Sequence, residues 1–256
     1  MNLELTGKHV VVTGGSKGIG HAIASIAATE GAQVTLVSRD GRQLAEAADG
    51  ISGQVDTLPA DLSTDQGRAE AVDAFGTPDI LVNNAGAIPA GGLHDLSMDE
   101  WRTAWDLKVF GYIDLCRLVY PAMCERGSGT ILNVIGMAGR ANRAAYVCGT
   151  AGNAALIAFT NALGAEAQSH GVRVLGLNPS PTLTERLKGH FQRRAELELG
   201  NPERWPEMLD PARFPFGRPA APEEVAACAV MMMSPAVQYL NGSVVDMDGG
   251  AQWMGQ

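Results

Sequence analysis

Short runs of Val, Ile and Leu alternate with longer segments of helical periodicity along nearly the whole chain. The runs at residues 9–13, 34–37, 80–83, 130–135, 172–177 and 243–247 predict strands, with a weaker one at 55–58. Most are close to continuously apolar rather than alternating. That pattern suits strands buried on both faces, which requires a parallel sheet with helices on either side. A helical pattern over 18–30 stops at Gly31, a residue suited to the left-handed turn that ends helices. The expected fold is α/β: one doubly wound Rossmann-type domain over residues 1–256, with a mainly parallel seven-stranded sheet.

One stretch breaks the alternation. Residues 185–219 are polar, helical in places and interrupted by Pro202, Pro206, Pro211 and Pro215. They join the last two strands, where open α/β sheets bind ligands. They read as a substrate loop or lid, the alternative being a decorative insertion. Residues 151–160 have the opposite character, small or apolar on almost every face. A helix without a polar face is covered on all sides, by the sheet and by a second subunit. A homodimer or homotetramer is expected, with Trp253 and Met254 near the C-terminus as further candidate contacts.

Composition narrows the partners. Hydrophobic residues make up 46 % of the 256, enough for a large core, and the net charge is −9. Nucleic acid is excluded as a partner, because phosphate binding needs clustered Lys and Arg, and Arg193-Arg194 is the nearest approach. No apolar run reaches transmembrane length, and the N-terminal residues lead directly into the first strand. A soluble cytoplasmic protein with no membrane partner is expected. The four cysteines form no CxxC pair and have no His at metal-ligand spacing. They read as small core residues, and no metal is expected.

The first strand opens into Thr13-Gly14-Gly15-Ser16-Lys17-Gly18-Ile19-Gly20. Gly14 permits the sharp turn out of the strand, Gly18 leaves room for a pyrophosphate, and Gly20 lets the helix approach the sheet. Free N–H groups and the positive helix end then face the phosphates. Gly14, Ser16, Lys17, Gly18, Ile19 and Gly20 are therefore candidate cofactor residues. At the end of the second strand an acid would bond the ribose 2′-hydroxyl; the chain has Ser38-Arg39 instead. Ser38, Arg39 and Lys17 suit a 2′-phosphate, which favours NADP(H) over NAD(H). Asp40 stands one place too late to serve as the ribose acid.

These residues resemble the short-chain dehydrogenase/reductase family over nearly the whole chain. Further marks are Ala60-Asp61-Leu62, Asn83-Asn84-Ala85-Gly86, Tyr146, and Tyr239-Leu240-Asn241-Gly242 through Asp248-Gly249-Gly250. The resemblance implies that Asp61 contacts the adenine amino group and Leu62 the ring through its backbone. It implies that Asn84, Ala85 and Gly86 line the cofactor's middle and that Asn83 steadies the sheet. Asn178-Pro179, followed by Thr182 and Thr184, is similar to the segment that meets the nicotinamide carboxamide. Ser180 stands where that segment has glycine.

The family's active site is an Asn-Ser-Tyr-Lys tetrad. By resemblance Tyr146 is the acid/base. Thr150 lies where the lysine belongs, Gly136 where the serine belongs, and Lys108 where the asparagine belongs. No serine occurs between Ser128 and Ser169. A free tyrosine has a pKa of about 10, and a nearby cation lowers it. Lys108 is the candidate replacement cation; the alternative is that it snorkels to solvent. Arg140 and Arg143 are further candidates. The backbone N–H of Gly136 or Met137 could stand in for the serine hydroxyl.

The expected function is an NADP(H)-dependent oxidoreductase passing hydride between nicotinamide and a carbonyl or secondary alcohol. The small-molecule substrate would lie among residues 88–93, the Gly136 loop and 185–219; His94 is assigned no chemistry. Two alternatives stay open. One is a catalytically silent NADP(H)-binding sensor or partner subunit, and the other a non-redox, lyase-type activity.

Overall fold

Seven strands form one sheet: β1 (His9–Thr13), β2 (Gln33–Ser38), β3 (Gln54–Pro59), β4 (Ile80–Asn83), β5 (Gly129–Val134), β6 (Val172–Pro179) and β7 (Val244–Met247). They lie in the order β3-β2-β1-β4-β5-β6-β7, and every pairing is parallel. The sheet is thus wholly rather than mainly parallel. The computed structural model describes residues 2–253, so Met254 lies outside the described residues.

Nine α-helices are seen among those residues. They are α1 (Gly18–Thr29), α2 (Gly41–Asp49), α3 (Asp65–Phe75), α4 (Met98–Trp105), α5 (Gly111–Arg126), α6 (Ala138–Ala141), α7 (Val147–Ala167), α8 (Glu185–Leu199) and α9 (Pro222–Met233). Consecutive strand residues feed opposite cores, as in any strand covered on both faces. Val10, Val12, Leu36 and Leu175 pack with Ile23 of α1 and Val225 and Val230 of α9. Val11, Val37, Leu81 and Val174 pack with Leu115 and Val119 of α5.

β1 pairs with β2 on one side and β4 on the other. The chain therefore winds in opposite directions from this point, and the loops after β1 and β4 diverge. Their carboxyl ends frame the crevice where such sheets bind ligands.

Two local features shape what lies above the crevice. α4 passes into one π-helical turn, Asp106–Phe110, before α5 begins. Such turns are rare and re-aim the side chains they carry; here that side chain is Lys108. The segment 185–219 forms α8 and the 3-10 turns Pro202–Met208, Pro211–Arg213 and Pro215–Gly217, each opened by a proline. α8 packs chiefly on the first of these turns. Among the described residues no helix is long and apolar enough to cross a membrane.

Candidate active site

The glycine turn has the backbone its sequence requires. Gly14 and Gly18 adopt positive φ, 65° and 60°, where a side chain would be strained. A Cβ on Gly20 would strike the Gly14 carbonyl and the Asn84 amide. Thr13 stitches the two diverging loops together: its hydroxyl accepts from the Asn84 and Ala85 N–H groups, at 2.9 and 3.1 Å. The Asn84 side chain donates back to the carbonyls of Thr13 and Gly14, at 3.0 and 3.2 Å. Asn84 thus holds the turn with its side chain. Asn83 donates to Asn133 at 2.9 Å, tying β4 to β5. α1 starts on Lys17, which makes no side-chain cap, so the first N–H groups of the helix lack that partner. Ser16 and Ile19 are half-buried around the turn and Lys17 is exposed.

The far end of this cradle also fits a nucleotide. The Ser38 hydroxyl, at the end of β2, is buried without a partner. A buried hydroxyl left unpaired costs free energy that a bound phosphate or ribose oxygen would restore. Arg39 beside it is exposed. Asp40 has a different job, capping α2 by accepting from the Arg42 and Gln43 N–H groups at 3.0 and 3.1 Å. The Asp61 carboxylate accepts from the Ser63 hydroxyl and N–H, at 2.7 and 3.1 Å. Those bonds, with a smaller contribution from Arg39, hold its pKa below the usual range. Leu62 is buried, and its carbonyl accepts from Arg68 at 3.0 Å.

Opposite the cradle, β6 ends at Pro179 and the chain turns over the crevice. Thr182 is buried and donates to the Ser180 carbonyl at 2.9 Å. Thr184 caps α8, and its methyl group lies 3.2 Å from where a Cβ on Gly18 would be. The start of α8 therefore sits over the glycine turn.

At the serine position Gly136 has φ 131°, a conformation closed to serine. Its N–H donates to Asn178 at 3.2 Å, and the Met137 N–H donates to the Pro179 carbonyl at 3.1 Å. Both donors expected to replace the serine hydroxyl are engaged within the protein. A residue the sequence reading passed over, Asn153 of α7, donates to the Gly136 carbonyl at 3.3 Å. Its buried Oδ1 has no partner.

Tyr146 immediately precedes α7, half-buried against the cluster of Ile88, Ala104 and Cys148. Its ring lies over Gly149; a Cβ there would fall inside it. The backbone beside it is fixed by the Gly91 N–H, which donates to the Ala145 carbonyl at 2.9 Å. Among the described residues no hydrogen bond reaches the Tyr146 hydroxyl. Burial raises its pKa, and the charge of Arg186 pulls in the other direction. Thr150, in the lysine's place, bonds the Arg143 carbonyl at 3.4 Å and supplies no charge.

Lys108 does not snorkel. It is 8 % exposed, and its stem passes under Gly86, where a Cβ would come within 2.6 Å of Cδ. Its ammonium donates to the Tyr112 hydroxyl at 2.8 Å and to the Val134 carbonyl at 2.7 Å. Tyr112 in turn donates to Val134 at 3.0 Å. The structure does not bring Lys108 into hydrogen bond with Tyr146. Desolvation lowers its pKa to about 7, with a smaller push from Arg186.

Arg186, in the first turn of α8, is the nearby cation whose charge opposes the effect of burial on the Tyr146 pKa. Its guanidinium donates to the Ile88 carbonyl at 2.9 Å. No periodicity or motif marks it in the sequence; only the folding of 185–219 back over the crevice brings it there. Arg140 is paired elsewhere, with Asp246 at 3.3 Å. All four cysteines are unpaired.

With this geometry in view, comparison with known proteins is direct. The family described as short chain dehydrogenase matches residues 8–195. D-threitol dehydrogenase of Mycolicibacterium smegmatis is 32 % identical over 263 residues, spanning 97 % of this chain and 94 % of that protein. A crystal structure of L-sorbose reductase from Gluconobacter frateurii, complexed with NADPH and L-sorbose, superposes with a TM-score of 0.91. It is 31 % identical, with 98 % of each chain covered. 7α-hydroxysteroid dehydrogenase complexed with NADH and 7-oxo glycochenodeoxycholic acid superposes with a TM-score of 0.83. It is 28 % identical, with 97 % of this chain and 96 % of that one covered.

Proposed function

The chain belongs to the short-chain dehydrogenase/reductase family of NAD(P)-dependent oxidoreductases, and we propose that it is an NADP(H)-dependent carbonyl reductase with Tyr146 as its proton donor. The observation that carries this reading is the Tyr146 hydroxyl, free of any hydrogen-bond partner among the described residues, on a ring packed against the cluster of Ile88, whose carbonyl holds the Arg186 guanidinium. The unpaired Ser38 hydroxyl beside Arg39, with Lys17 in the glycine turn, supports a 2′-phosphate and hence NADP(H). A neighbour of the same fold holds NADPH.

Gly14, Gly18 and the start of α1 would hold the pyrophosphate, Asp61 and Leu62 the adenine, and Ala85, Gly86, Pro179, Thr182 and Thr184 the rest. The cofactor, when bound, supplies the hydride to the carbonyl carbon. Tyr146 gives its proton to the carbonyl oxygen, and the tyrosinate left behind is stabilised by Arg186 until solvent reprotonates it. Burial keeps Tyr146 protonated at neutral pH, which favours reduction over alcohol oxidation. Lys108, beneath Gly86 and with its pKa lowered to about 7, is a buried cation at neutral pH and below. Its ammonium has a third proton with no acceptor among the described residues, available to a ligand oxygen there. The segment 185–219 would cover the substrate.

Loss of the serine and lysine favours one rival, a cofactor-binding subunit without turnover. Reduced-nicotinamide absorbance, followed with NADPH and a panel of keto sugars, keto acids and quinones, separates the two. Turnover with NADPH is expected to exceed that with NADH. Tyr146→Phe is expected to cut kcat by about 10²- to 10⁴-fold with NADPH binding retained. Tight NADPH binding with no carbonyl consumed would leave the rival standing instead.

A second copy is expected on α7. Its exposed side carries Ala151, Ala154, Ala155, Ala158, Ala162 and Ala165, a strip on which another helix can pack closely.

A further inference from the structure

We propose that Arg186 is the recognition group for a carboxylate on the substrate, so that this protein acts on small keto acids and their hydroxy-acid counterparts rather than on neutral ketones. The inference rests on the reading of Tyr146 as proton donor to the carbonyl oxygen.

The case starts with where the guanidinium is held. Arg186 follows the Thr184 cap, which lies over Gly18 of the cofactor cradle. Its side chain reaches across to the Ile88 carbonyl, at 2.9 Å, on the loop after β4. That same loop is pinned to the Tyr146 strand-like backbone through Gly91 and Ala145. Arg186 therefore bridges the crevice from its lid to the wall that carries the catalytic hydroxyl.

Its charge is not neutralised there. Arg194, Arg204 and Arg218 of this segment are paired with Glu198, Glu207 and Glu224 at 2.6, 2.6 and 2.7 Å. Arg193 and Arg213, like Arg186, form no salt bridge among the described residues, but Arg186 alone of the three is anchored on the loop after β4. Arg186 has no carboxylate within salt-bridge distance among the described residues. One of its five N–H groups is engaged by Ile88, which leaves a planar fork open to a carboxylate.

Lys108, buried under Gly86, is a second positive group within range of this charge. The charge of Arg186 bears on Lys108 and on Tyr146. Arg186 and a protonated Lys108 repel each other, and an anion bound at Arg186 relieves that repulsion. A cofactor phosphate could also supply an anion. The anchor on Ile88, which belongs to the cluster that Tyr146 packs against, sets the guanidinium on the Tyr146 wall and so favours the substrate.

The test uses two ketones that share chain and stereocentres and differ in one terminal group. 5-keto-D-gluconate carries a carboxylate where L-sorbose carries a hydroxymethyl. With NADPH, kcat/KM for the acid is expected to exceed that for L-sorbose by about ten- to hundredfold, as a charge-assisted hydrogen bond implies. In Arg186→Gln that ratio should collapse toward one, with Arg186→Lys restoring part of it. Equal turnover of both ketones by the unaltered protein would overturn the carboxylate site and leave the reductase reading intact. So would an Arg186→Gln defect confined to the KM for NADPH, which would assign the guanidinium to the cofactor. If neither ketone turns over, calorimetry on the NADP⁺-saturated protein decides. Binding of 5-keto-D-gluconate but not L-sorbose, lost in Arg186→Gln, would uphold the site while the reductase reading fails. No binding of the acid would end the proposal.

Discussion

Burial sets the chemistry of Lys108. Taken out of water under Gly86, its ammonium is held by a carbonyl and a phenol, and its pKa falls from 10.5 to about 7. This has a consequence for stability. Between pH 7 and 10.5 the unfolded chain retains a proton that the folded protein has lost. Stability linked to Lys108 is therefore fully present above pH 10.5 and is lost as pH falls toward 7. Lys108→Met removes that dependence. Urea unfolding at about pH 7.5 and about pH 9.5 is expected to show the unaltered protein gaining roughly 2 kcal/mol relative to the variant across the interval. Parallel behaviour of the two proteins would mean that Lys108 keeps its charge in the fold. Tyr146 shows the same effect on an acid: burial raises its pKa, and the charge of Arg186 pulls in the other direction.

At the scale of elements, two irregularities build the site. The π-helical turn between α4 and α5 inserts an extra residue's worth of rotation and turns Lys108 inward toward Val134. The start of α7 is equally specific. Tyr146 leaves the helix with φ −147° and ψ 37°, and its ring folds back on Gly149. Gly149→Ala is a small change in a helix that should otherwise tolerate alanine. It is nonetheless expected to expel the Tyr146 ring and lower kcat by about a hundredfold, since misplacing a catalytic group by an ångström costs that much. Thermal melting and NADPH affinity should change little. Undiminished turnover in Gly149→Ala would show that the ring position seen here is not the working one.

At the scale of the whole molecule, the parallel sheet and its switch point beside β1 collect distant segments over one crevice. The loops after β1, β4, β5 and β6 all open on that edge. The outer side of α7 remains, with alanines where a monomer would carry charge. Ala158→Arg places a long cation in the middle of that strip. Light scattering after gel filtration is expected to give a dimer or larger for the unaltered chain and a smaller species for the variant. Identical masses would remove α7 as the subunit contact.

The chain by itself determined the architecture, because strand and helix follow from local periodicity and a doubly buried strand must be apolar on both faces. The edges of β1 and β4 and the glycine turn were legible residue by residue, since φ above zero and missing Cβ atoms are demanded locally. Tyr146 and Lys108 could be singled out through resemblance to a family pattern. What only the tertiary structure decided is which charges meet. Lys108 went to Tyr112 and Val134, the N–H groups at Gly136 and Met137 were taken by Asn178 and Pro179, and Arg186 reached the Ile88 carbonyl from a segment about a hundred residues along the chain. The physical reason is range. Backbone preferences act over a few residues, whereas desolvation and charge depend on every element packed around a group.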